Sequence, residues 1–176
     1  MREGDAAGIA RVHVDGWRAA YAGLIDQAVL DGLDVRRRTT TWESWIRRSL
    51  DGLPPEGHDY AAHRMLVADD AGELLGWARF GRGRDSDAAE RGELAGLYAH
   101  PSAWSSGIGH ALITRAEEEL RAEGWTQAYL WVLAGNERAS RFYTRHGWLA
   151  DGGEKHADAG GATGVHELRH VRDLLA

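Results

Sequence analysis

The chain has 176 residues, 43% hydrophobic and 27% charged, with a formal net charge of −6 and no cysteine. Such a length and balance suit one globular domain spanning 1–176, while the missing cysteines exclude disulfides, thiolate metal sites and a cysteine nucleophile. With no long basic run, no stretch near the ~20 apolar residues of a membrane span and no apolar run in "MREGDAAGIARVH", nucleic acid, membrane and signal-peptide readings fall away and a cytoplasmic setting is expected.

"DAAGIARVHVDGWRAAYAGL" places Ile9, Val12, His13, Trp17, Ala20 and Tyr21 at three- and four-residue spacings, which predicts an amphipathic helix with Asp5 as N-cap. "DVRRRTTTWESWIRRSL" predicts a second helix, and "GLPPEGH" breaks the pattern. "HRMLVADDAGELLGWARFGRG" reads as a hairpin turning at Asp70–Gly72, "RDSDAAERG" as a loop, and "ELAGLYAHP" as a strand ending at Pro101. A long helix follows "GIG", stopped by Gly124, then the nearly continuous apolar strand "TQAYLWVL". "NERASRFYTRHG" is a short helix with Asn136 as N-cap, and "WLADGG" and "VHELRHVRDL" are two last strands around a glycine-rich loop. The expected fold class is α/β, with one mixed sheet flanked by helices.

The loop "WSSGIG" enters its helix in the manner of an anion site, because a helix N-terminus carries unpaired N–H groups and roughly +0.5 charge. It is not a Walker A loop, since Gly109 is followed by His110 and Ala111 rather than Lys-Ser/Thr. A dinucleotide fingerprint fails at Leu112, where a third glycine or alanine is needed. Gly107 and Gly109 are expected to open the amides to an anion.

In order along the chain, "ELAGLYAHP", "WSSGIG", the helix, "AYLWVL", "NERASRFY" with Asn136, Ala139, Phe142 and Tyr143, and "HGW" resemble the GNAT family of acetyl-CoA-dependent N-acetyltransferases. The resemblance covers nearly the whole chain and implies a central, mostly antiparallel mixed sheet flanked by helices. Two departures are visible. Trp104 stands where the motif has Gln or Arg, and Met1–Gly4 is too short for more than a minimal first strand.

The resemblance implies an acetyl-CoA site with the pantetheine arm beside Leu97, Tyr98 and Ala99. The pyrophosphate would sit on the amides of Ser105, Ser106, Gly107, Ile108, Gly109 and His110, with Asn136 and Ala139 beside the arm. It implies a primary amine acceptor, small-molecule or peptide, with Glu93 as general base (Glu90 the nearby alternative) and Tyr143 as general acid. Trp17 and Tyr21, one helical turn apart, are candidates for the acceptor pocket; core packing is the other reading. Without cysteine, direct transfer is favoured over an acetyl-enzyme. A second reading is a non-catalytic acyl-CoA-binding or sensing module on the same fold. "HELRH" (His166 to His170) matches a zinc-peptidase pattern, which needs a helix and a further ligand; no metal is expected. A homodimer is the default oligomer.

Overall fold

A computed structural model describes residues 1–54, 63–88 and 90–176. The expected break at Gly52–His58 lies, from residue 55 on, outside the described residues. A 3₁₀ turn (Glu3–Asp5) leads directly into α1 (Ala6–Ala20), followed by α2 (Gln27–Asp31) and α3 (Val35–Leu50). Then come β1 (Arg64–Asp70), β2 (Glu73–Arg82), β3 (Gly92–Ala99), α4 (Ile108–Ala122), β4 (Gln127–Leu133), α5 (Glu137–Arg145), β5 (Leu149–Ala159) and β6 (Ala162–Asp173). The strands form one six-stranded sheet in the order β1-β2-β3-β4-β6-β5, with β3–β4 its parallel pair and the other neighbours antiparallel. The mixed, mostly antiparallel sheet agrees with the expected class.

Two layers sandwich it. On one face α4 buries Leu112, Ile113, Ala116 and Leu120 against Ala78, Phe80, Leu94, Ala128, Leu130 and Val132. On the other, α1 and α3 bury Ile9, Val12, Trp42 and Ile46 against Met65, Leu74 and Trp77. Residues alternate across each strand, so Ala78 and Phe80 serve one core while Trp77 serves the other.

Three local expectations change. Asp5 occupies the N-cap position of α1 but makes no capping bond there; its carboxylate accepts from the Arg2 N–H (2.6 Å) of the preceding turn. The first helix stops at Ala20, and α2 follows as a separate element capped by Asp26, which accepts from the Ala28 N–H. The glycine-rich loop near the end is instead a long hairpin, with β5 and β6 paired through Ala159↔Ala162 and only Gly160 and Gly161 at its tip. β5 is a sheet edge with mostly exposed side chains. Its strand character comes from pairing rather than from an apolar pattern.

Candidate functional site

β3 and β4 pair only at Gly92↔Ala128 and Glu93↔Tyr129, then part. Beyond that point the parallel strands form a slot. β3 also bulges here: Arg79 faces Gly96 but Phe80 faces Leu94, leaving Ala95 as the extra residue. A one-residue insertion moves the following side chains to opposite faces. Leu97 therefore joins the α4 core, while Tyr98 joins the α1 side opposite Trp77. Across the slot, Asn136 is buried and caps α5 by accepting from the Ala139 N–H (3.1 Å). Leu97, Ile108, Ala139 and Tyr143 all pack on the same core cluster, with Phe142 beside them, so the structure brings these four expected site residues together.

The loop at one end of this slot is built by backbone. Ser105 (φ 65°) and Gly107 (φ 94°) are left-handed, and α4 starts at Gly107 with no side-chain cap. The amides of its first turn are thus unanswered by any capping side chain. Ser106 uses its hydroxyl on the Ala103 carbonyl (2.7 Å). The two glycines differ in purpose. A Cβ on Gly107 would meet open space, so its requirement is the positive φ, whereas a Cβ on Gly109 would press on the Phe142 ring at 3.2 Å. Gly109 therefore also serves α4–α5 packing. Exposed His110 meets His146 across this packing (Nδ1 to Nε2, 3.0 Å). The Trp104 indole N–H donates to the Ala99 carbonyl (2.9 Å), which fixes its ring between the end of β3 and the loop.

On the α1 side, Trp17 donates to the Tyr98 hydroxyl (3.1 Å) and the Tyr21 and Tyr98 hydroxyls lie 3.2 Å apart. His13 stacks on Tyr98 with ring centroids 5.4 Å apart. The α1–α2 loop touches the start of α5 through Leu24 against Gly135, and the β5–β6 tip lies on Trp17. Trp17 and Tyr21 thus stand where α1, β3 and this hairpin meet. The Tyr143 hydroxyl makes no hydrogen bond among the described residues, and burial pushes its ionisation well above the usual tyrosine range.

Glu93 is 2% exposed, and its carboxylate accepts from the Arg84 side chain through Nε (2.7 Å) and a terminal nitrogen (2.5 Å). The Arg84 N–H adds a contact of 3.2 Å. Glu90 is exposed. Tyr129 is buried beside this pair and accepts from the Arg84 N–H (2.9 Å). Further out, Lys155 lies 3.6 Å from Asp85 and 3.8 Å from Glu167, over the Trp131 ring. Glu167 faces Leu133 at the end of β4. Burial raises its carboxyl above the usual range, with Lys155 opposing, and its field reaches the Tyr21 and Tyr98 hydroxyls. In the sequence Glu167 stands out only as part of the zinc-like pattern. Its alternation with His166 and Leu168 was the one available signal.

That pattern lies wholly on β6. His166 and His170 are four residues apart on a strand, about 13 Å at ~3.3 Å per residue. The shared helical face that zinc chemistry needs is therefore not formed. No group of three or more His, Asp or Glu able to hold a metal occurs among the described residues, and no helix among them is long and apolar enough to cross a membrane.

The family model described as "Acetyltransferase (GNAT) family" matches residues 35–148. The chain is 30% identical over 132 residues to an uncharacterised N-acetyltransferase, YuaI, of Bacillus subtilis (strain 168), covering 75% of this chain and 68% of that one. Among solved structures, PaiA N-acetyltransferase from Thermoplasma acidophilum, in complex with coenzyme A, superposes with a TM-score of 0.73 at 19% identity, over 98% of this chain and 95% of that one. YncA from Salmonella typhimurium, with acetyl-CoA, gives 0.67 at 19%, over 99% and 91%. The slot between β3 and β4, the loop before α4 and α5 with its cap Asn136 lie within the matched residues, and with this match the chain belongs to the acetyltransferase (GNAT) family.

Proposed function

We propose that this protein transfers the acetyl group of acetyl-CoA to a primary amine by direct attack. The observation that carries the reading is the slot opened where β3 leaves β4, with the uncapped start of α4 beside it and Tyr143 packed on the same core. The residues fit the co-substrate. The exposed edge of β3 near Leu97 and Tyr98 would pair with the pantetheine arm, the first-turn amides of α4 would hold the pyrophosphate, and Asn136 and Ala139 would line the far wall. The Ala99 carbonyl is already taken by Trp104, so pairing rests on the residues before it. Acetyl-CoA supplies an activated thioester.

The chain's own groups then handle protons. An amine with an ordinary pKa near 10.4 arrives protonated and must lose a proton. Glu93 is occupied by Arg84 and serves to anchor that arginine. Glu167, raised by burial and beside the end of β4, is better poised to accept the proton, directly or through water. Tyr143 stays protonated, donates to the leaving sulfur and takes the general-acid role. Trp17, Tyr21 and Tyr98 form the acceptor wall. The absence of any cysteine thiol is consistent with one-step transfer.

The test is an amine-library screen following free CoA, with acetyl-CoA against longer acyl donors. Turnover on at least one primary amine is expected. Tight acetyl-CoA binding without turnover on any amine would replace this reading with the acyl-CoA-sensing one.

A further inference from the structure

Trp104 replaces the polar side chain that the family motif places before the phosphate loop, and the structure shows what stands there in its stead. The Arg138 guanidinium lies over the Trp104 ring, 3.3 Å from its centroid. Arg138 belongs to the first turn of α5, Trp104 to the segment just before Ser105, so the stack spans from α5 to the loop. Trp104 is itself fixed by its bond to Ala99. Arg138 forms no ion pair among the described residues, unlike its neighbour Arg141, which pairs with Glu137. Arg138 is exposed, with its guanidinium partly desolvated by its neighbours, which lowers its pKa while the Tyr21 and Tyr143 hydroxyls oppose that effect.

A guanidinium held over an aromatic ring leaves N–H groups at its edge free to donate to a further acceptor. Those donors have no carboxylate to meet. The adjoining α4 start offers only about half a positive charge to a diphosphate that carries two negative ones. Planar, forked donors match phosphate oxygens in a bidentate way.

From this juxtaposition we propose that Arg138, positioned by Trp104, is the side-chain ligand of the co-substrate's pyrophosphate, supplied from α5 in place of the motif residue missing at 104. The proposal rests on the acetyl-CoA reading above. It assigns Arg138 to the pyrophosphate rather than to the 3′-phosphate of the adenosine.

Calorimetric titration of the purified, full-length protein tests it without any turnover. The probes are CoA, 3′-dephospho-CoA and pantetheine. Arg138→Ala is expected to weaken CoA and 3′-dephospho-CoA alike, by about ten- to a hundredfold, the worth of a charge-assisted hydrogen bond, and to leave pantetheine unchanged. Arg138→Lys, which keeps the charge but not the fork, should fall between. The salt dependence of CoA binding should flatten in Arg138→Ala. Trp104→Ala in the Arg138→Ala background should add little, because the ring acts through the arginine. Unchanged CoA affinity in Arg138→Ala overturns the proposal, as does a loss confined to CoA (a 3′-phosphate contact) or one shared by pantetheine (a structural role). If the wild type binds neither CoA nor 3′-dephospho-CoA, the acetyl-CoA reading itself fails, an outcome distinct from all of these.

Discussion

The Tyr143 hydroxyl has no partner among the described residues, and lost hydration keeps its proton on. Tyr143→Phe should therefore lower kcat by about 10²–10⁴-fold, the usual worth of a positioned acid, with acetyl-CoA affinity kept. Initial rates paired with calorimetry read both, and an unchanged kcat sinks the acid role. Glu167 is held by Lys155 and raised by burial. It acts only when ionised, so the rate is lost as pH falls through its raised pKa and is fully present above it. Glu167→Gln should lower kcat and abolish that acidic limb of the pH–rate profile. A limb that survives in the variant belongs to another group. Both residues illustrate how unevenly single positions speak. Tyr143 stands out in the sequence because it sits inside an ordered motif, whereas nothing around Glu93 hints that Arg84, nine residues away, closes on it. Sequence spacing does not report which charge a carboxylate will meet after folding.

Among the elements, the β5–β6 hairpin does work that its composition hides. Its tip reaches back to α1, where a Cβ on Gly160 (φ 61°) would lie 2.3 Å from the Trp17 ring. Ala159, Ala162 and Val165 pack in the same cluster as Trp17, Tyr21 and Leu30. Gly160→Val should both strain the turn and push on the acceptor wall, lowering stability by about 1–3 kcal/mol and raising KM for the amine more than for acetyl-CoA. Urea unfolding and steady-state kinetics measure the two parts; equal KM changes would count against the hairpin's place at the acceptor end. The helices α1, α3 and α4 were legible because each buries a single apolar stripe. The two strands of the hairpin were legible but its length was not, since an exposed edge strand held by backbone pairing has no apolar alternation to read.

For the molecule as a whole, two histidines turn their ring nitrogens into the fold on its α1–α3 side, His63 buried and His13 half-buried. Burial, aided by Arg38 and Arg79, lowers His13 from 6.5 to about 3. Burial lowers His63 to about 4, with Arg79 next in effect. Neither His13 ring nitrogen has a hydrogen-bond partner among the described residues, and the ring sits among Trp17, Trp42, Trp77 and Tyr98. Both are neutral when folded, so the unfolded chain binds more protons below pH ~6.5. Their stabilisation is whole above that pH and is lost as pH falls toward 4 and then 3, at about 1.4 kcal/mol per pH unit for each. Chemical denaturation between pH 7 and pH 5 should show this slope, and His13→Phe should halve it. A flat curve in the wild type contradicts the burial of both rings.

The sequence by itself determined the order of most elements, the loop before α4 and the family, because helical periodicity, capping residues and ordered motifs are local or depend on spacing alone. Tertiary structure decided the site. The bulge at Ala95 sends Tyr98 to the α1 side, strand pairing puts Glu167 at the end of β4, and α5 lays Arg138 on Trp104. Each is a contact between residues distant in sequence or a change of face by one residue. Such contacts depend on register and packing, which no local pattern encodes.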